Sequence, residues 1–199
     1  RVFGHFAAAR TNERRGMPNA LNPDLVMLTD MLKGAGYTTA HFGKWHLGNI
    51  SPAEYGIDRY RTDGASNVDA GRLDIWSASA RPTSTKDILD EALKFIEQQH
   101  NKPFYANLWL ADVHATLNPS KEQMDRVLKD AKWNWPPKGV EYTAVEQVYL
   151  AALLEMDRQI GLFLNKLEEM SLRENSLIIF SSDNGPEDYQ ISNARHSGV

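Results

Sequence analysis

Lys44 and His46 alternate within Gly43-Lys44-Trp45-His46, directly after a short run of β-forming residues over 37–42. Alternate spacing turns both side chains the same way, which sets a cation beside a titratable imidazole. An anion fits between them. Asp183-Asn184-Gly185 offers a carboxylate and an amide oxygen, the hard donors that calcium or magnesium takes, and a glycine that lets the backbone turn sharply. His114 follows a third apolar run. Taken singly, each group also reads as a solvated lysine, a backbone-bonded histidine or an ordinary turn. They stand out because they occur in order, each at the end of a predicted strand.

The elements that must position them can be read from periodicity. Asn22-Pro23-Asp24 supplies a cap, a first-turn proline and an acid, and Leu25, Leu28, Met31 and Leu32 repeat at helical spacing, so a helix is predicted over 23–33. Gly34 and Gly36 stop it, and a strand follows over 37–42. Residues 48–81 are rich in Gly, Ser, Asp and Arg with little periodicity and read as a surface excursion. Ser84 with Asp87 resembles a capping box for a helix ending near His100. The run 103–110 reads as a strand, 121–132 as a short helix and 143–170 as the longest helix, with Val148, Leu150, Leu153, Leu154, Ile160, Phe163, Leu164 and Leu167 on its apolar face. Residues 176–181 read as a strand buried on both faces. Alternating helix and strand predict an α/β fold, a mostly parallel sheet with helices on both faces, and ligands in such sheets bind beyond the carboxyl ends of the strands.

Composition narrows the classes. A chain of 199 residues, 42% hydrophobic and 24% charged, is ordinary for a globular protein and long enough for a sizeable core. The formal net charge of -4 provides no global basic surface, which argues against nucleic acid as a partner. The absence of cysteine excludes disulfides and thiolate metal sites within this span. No apolar stretch approaches the roughly 20 residues needed to span a bilayer.

The stretch from Gly36 through Gly48, Gly-Tyr-Thr-Thr-Ala-His-Phe-Gly-Lys-Trp-His-Leu-Gly, closely resembles the second signature of the sulfatase family, G-Y-x-T-x-x-x-G-K-x-H. The stretch from Leu172 through Gly185 is similar to that family's metal-binding strand and loop. The resemblance implies an alkaline-phosphatase-like fold, with this chain part of one catalytic domain truncated at both ends. It implies hydrolysis of sulfate esters through a formylglycine made from the Cys or Ser of a C/S-x-P-S-R motif, which this sequence does not contain and which is expected upstream. By the same resemblance Lys44 neutralises sulfate oxygens, His46 hydrogen-bonds the formylglycine hydrate, and His114 binds sulfate and assists the leaving oxygen. Families commonly show Pro-His where this chain has Val113-His114. Asp183 and Asn184 are implied calcium ligands, with magnesium the alternative ion, and His196 is implied at the rim as a substrate contact.

A sulfated small molecule or carbohydrate is the implied substrate, and an exported location, periplasmic, secreted or lysosomal, is expected. Two rival readings share these motifs. One is a phosphodiesterase or phosphonate monoester hydrolase of the same superfamily; the other is a non-catalytic binding protein that retains the fold. Trp133 and Trp135 could stack on a sugar ring, though beside Pro136 and Pro137 their more ordinary role is to pack down a loop.

Overall fold

The structure, a computed structural model, describes residues 9–99, 102–114, 116–129 and 144–183. The described elements are α1 (Ala9–Arg14), α2 (Leu28–Gly34), β1 (Thr38–Gly43), β2 (Arg59–Thr62), α3 (Ser84–Glu97), β3 (Phe104–Trp109), α4 (Lys121–Lys129) and α5 (Ala144–Glu169). The chain divides into two compact units, one built on Arg1–Ile75 and Asp87–Leu110, the other on Trp76–Lys86 and Ala111–Val199.

In the first unit the three strands form a parallel sheet in the order β2-β1-β3. Central β1 is its core: Thr39, Ala40, His41 and Phe42 are all buried. The pleat sorts β1 and β3 into two faces. Thr38, Ala40 and Phe42 stand opposite Phe104, Ala106 and Leu108, and α3 covers this face through Phe95, whose ring lies 6.0 Å from those of Phe42 and Phe104. Ile88, Leu89, Ala92 and Ile96 are buried with it, as the helical spacing predicts.

Thr39, His41 and Gly43 look to the other side with Tyr105, Asn107 and Trp109. Here α2 and a 3-10 turn, Pro52–Tyr55, cover the sheet. The Thr29 hydroxyl donates to the Tyr55 carbonyl, and Thr39 Oγ1 donates to the Gly56 carbonyl at 2.6 Å. Asp58 accepts the Thr39 N–H at 3.1 Å and pairs with Lys33. Partial burial pushes the Asp58 carboxyl up, but Lys33 and Thr39 prevail and hold it below the usual carboxylate range.

The second unit rests on α4 and α5. Leu117, Tyr149 and Ala152 form a buried cluster backed by Val113, Val148 and Leu153. The Glu155 carboxylate takes Arg126 at 2.6 Å and Arg158 at 2.7 Å.

Four expectations change. Helix α2 begins at Leu28 rather than 23, because the Asn22 side chain closes a local turn on the Asp24 N–H and the cap moves to Met27, whose N–H donates to Asp30 at 2.9 Å. The excursion over 48–81 contains a strand: β2 alternates half-buried Arg59 and Arg61 with buried Tyr60 and Thr62. Ser84 is not a cap; its hydroxyl donates to the Arg81 carbonyl, and a 3-10 turn runs straight into α3. Residues 176–181 form no strand among the described residues, and Leu177, Ile179 and Phe180 are 88%, 78% and 72% exposed. Their composition is that of a buried strand, but no described strand offers them a ladder.

Candidate active site

The loop carrying Lys44 and His46 owes its shape to Gly43. Its φ is 103°, and a Cβ there would lie 2.2 Å from the Trp109 carbonyl oxygen. Only glycine fits both the angle and the approach. The chain therefore bends at the end of β1 while staying tied to β3, with the Lys44 N–H donating to the Trp109 carbonyl at 3.0 Å. One residue on, the Trp45 N–H donates to Asp63 at 2.8 Å. Lys44 and His46 are both half-buried, at the carboxyl end of the central strand where the sequence puts them.

Beneath that loop lies His41. Its Nε2 is 2.9 Å from the Lys44 carbonyl, which can only accept, so Nε2 carries the proton and Nδ1 is a bare acceptor. Among the described residues Nδ1 has no hydrogen-bond partner, and neither has the buried indole N–H of Trp45. The ring meets Trp109 and Trp45 edge to face at 4.6 and 5.1 Å. Burial lowers the His41 pKa to about 4, although the Lys44 carbonyl and the Asp63 charge oppose the shift. A cavity of about 260 Å³ adjoins it, lined by Thr29, His41, Trp45, Tyr55, Asn107 and Trp109 among others.

His114 belongs to the second unit. It is half-buried, its N–H donates to the Ala111 carbonyl at 3.0 Å, and its ring meets Trp76 edge to face at 5.2 Å. Buried Arg81 sits among the carbonyls of this loop, donating from Nη1 to Ala111 at 2.8 Å, from Nη2 to Asp112 at 3.1 Å and from Nε to Thr116 at 3.0 Å. A further bond from Nη2 reaches the His114 carbonyl. Burial raises the Asp112 carboxyl, partly offset by the Thr85 hydroxyl and the Arg81 charge.

Lys44 and His46 thus share one loop, while His114 and Asp183 lie in the other unit. Asp183 is exposed, just beyond the 176–181 run that forms no strand among the described residues. Its carboxylate suits a hard cation in kind. In number the donors fall short, because the described residues hold no group of three His, Cys, Asp or Glu that could ligate a metal. Asn184, His196, Trp133 and Trp135 lie outside the described residues.

Two residues that sequence reasoning passed over shape these loops. His41 had a signal, a histidine inside an apolar strand run, where a buried ring must find a partner. Arg81, beside a proline in an irregular stretch, had none.

Comparison with known proteins bears on the whole span. The Sulfatase family model matches residues 5–198. N-acetylgalactosamine-6-sulfatase of Rattus norvegicus is 28% identical over 199 residues, covering 85% of this chain and 34% of the rat protein. An arylsulfatase of Hemicentrotus pulcherrimus is 29% identical over 215 residues, with 93% and 35% covered. The chain therefore spans about a third of the length of the curated relatives it matches. Among solved structures, Ps i-CgsB in complex with k-i-k-neocarrahexaose superposes with a TM-score of 0.64 at 21% identity, over 83% of this chain and 41% of that one, a likeness of fold. A parallel sheet flanked by helices, a Gly-Lys-x-His loop at the end of its central strand, and a family match running from residue 5 to residue 198 agree: the chain belongs to the sulfatase family.

Proposed function

We propose that the protein containing this chain hydrolyses sulfate esters, and that this chain is part of its one catalytic domain. The observation that carries the reading is the Gly43 bend, which fixes Lys44 and His46 at the carboxyl end of a parallel strand in a chain of this family. A sulfate monoester is anionic, and expelling its alkoxide requires charge stabilisation and a proton. Lys44 supplies the first by neutralising the sulfate oxygens. His46 hydrogen-bonds the nucleophile, and His114 binds sulfate and donates the proton to the leaving oxygen. A formylglycine from outside this chain would provide the attacking hydroxyl. Asp183 and Asn184 would each give an oxygen to calcium, or less readily to magnesium, the other ligands coming from elsewhere in the protein, and the ion would add charge neutralisation. His196 would contact the substrate at the rim.

The named relatives favour a sulfated carbohydrate as substrate, and an exported protein, periplasmic, secreted or lysosomal, is part of the proposal. Among the described residues no helix is long and apolar enough to cross a membrane.

The test is turnover of an aryl sulfate, the matching aryl phosphodiester and a panel of sulfated saccharides by the full-length protein and its Lys44→Ala variant. Sulfate-ester hydrolysis that falls roughly 100-fold or more on losing the ammonium is expected, the scale of removing one preorganised stabiliser of transition-state charge. Preference for the phosphodiester, or a Lys44→Ala enzyme as active as the parent, would overturn the reading.

A further inference from the structure

We infer that Arg81 is the positioning residue for His114, holding both the backbone and the ring of that histidine from one guanidinium. The inference rests on the role of His114 proposed above.

The loop after β3 turns the carbonyls of Ala111, Asp112, His114 and Thr116 toward Arg81, and buried carbonyls without donors are costly. Arg81 answers them with one planar group: Nη1 to Ala111, Nη2 to Asp112 and His114, and Nε to Thr116. A guanidinium offers donors that diverge within its own plane to four such acceptors, which the lysine ammonium, a point charge on a flexible stem, does not. Arg81 is only 5% exposed, so its charge must be compensated locally. Burial lowers its pKa and the Asp112 carboxylate opposes that shift, while Thr85 holds the carboxylate from the other side.

The second contact reaches the side chain. The guanidinium carbon lies 5.5 Å from the centre of the Trp76 ring, and the same indole meets the His114 imidazole at 5.2 Å and 74°. Arg81 thus fixes the main chain of His114 directly and its ring through Trp76. The anchor is itself held: Asn118 Nδ2 donates to the Ala78 carbonyl and Gln123 Nε2 to the Pro82 carbonyl, each at 2.7 Å. A group that must hand a proton to a leaving oxygen works only within hydrogen-bond reach, so freeing this loop should slow turnover more than it weakens binding.

The experiment compares the full-length wild type with Arg81→Lys, Arg81→Ala, His114→Ala and the Arg81→Lys/His114→Ala double variant in sulfate-ester hydrolysis, with a thermal melt for each. Arg81→Lys keeps the charge and should melt as a folded protein even where Arg81→Ala does not. The expected result is a kcat for Arg81→Lys lowered roughly 10- to 100-fold, the scale of a small misplacement of a catalytic group, with a smaller rise in KM because His114 also binds sulfate. In the His114→Ala background the same substitution should have almost no further effect, since both changes disable one group. Added guanidinium ion should restore part of the activity of a folded Arg81→Ala enzyme. A folded Arg81→Lys enzyme with normal kcat overturns the inference, and so does an undiminished loss in the double variant. If His114→Ala alone keeps wild-type turnover, the proposed role of His114 fails and the inference falls with it; if His114→Ala is impaired and Arg81→Lys is not, only the inference falls.

Discussion

The His41 imidazole is neutral in the fold because burial makes its charged form costly, and the carbonyl it faces accepts a proton that the neutral ring already has. Its folded pKa of about 4 lies below the ordinary 6.5. Above the unfolded value both states are neutral and the full stability is present. As pH falls from 6.5 toward 4, the unfolded chain takes up a proton that the folded one refuses, and stability drops. The loss is about 3 kcal/mol across that window, from about 1.4 kcal/mol per pH unit. Urea denaturation at pH 7 and pH 4.5, compared between wild type and His41→Gln, should show a smaller pH-dependent loss in the variant; equal losses would place the acid sensitivity elsewhere. A single residue type in a strand run announces such a group, so His41 was legible in principle. Arg81 was not, since nothing in Ala80-Arg81-Pro82 tells an arginine that caps carbonyls from one that faces water.

Elements were legible where their periodicity is long and their partners are local. Helices α3 and α5 and strands β1 and β3 fall within a few residues of expectation because Phe42, Phe95 and their neighbours write a clear pattern. Strand β2 escaped because its four residues are half arginine, and Arg61 is accommodated by partners distant in sequence, the Glu91 carboxylate at 2.9 Å and the Gly71 and Ala70 carbonyls at 2.8 and 3.1 Å. The start of α2 moved because a side chain satisfied a backbone N–H locally, a competition that propensity cannot weigh. Gly43 carries a prediction at this scale. In Gly43→Ala the new methyl meets the Trp109 carbonyl oxygen and φ stays in the left-handed region, so a loss of roughly 2–4 kcal/mol is expected. Thermal or chemical denaturation measures it, and a loss under 1 kcal/mol, within the range of about ±0.5 expected of neutral surface changes or close to it, would mean the loop is not locked as described.

For the molecule as a whole, the fold class and the family were readable from three motifs in order, whereas pairing partners were not, because a strand's composition states that it wants burial and not by what. Leu177, Ile178, Ile179 and Phe180 make that concrete. They are apolar, branched or aromatic, they lack proline, and no charge interrupts them between Glu174 and Asp183. A stretch of that kind, in no strand ladder among the described residues, is a template for intermolecular cross-β growth. The 199-residue chain, expressed alone, should therefore form thioflavin-positive assemblies on concentration, with light scattering that rises after a lag and is abolished by seeding-incompetent variants. Ile179→Lys places a charge in the middle of the run and should lengthen that lag severalfold without altering the melting of the rest of the chain. An unchanged lag would locate the aggregation elsewhere. The same four side chains that suit the interior of a sheet thus set the concentration at which this span can be handled by itself.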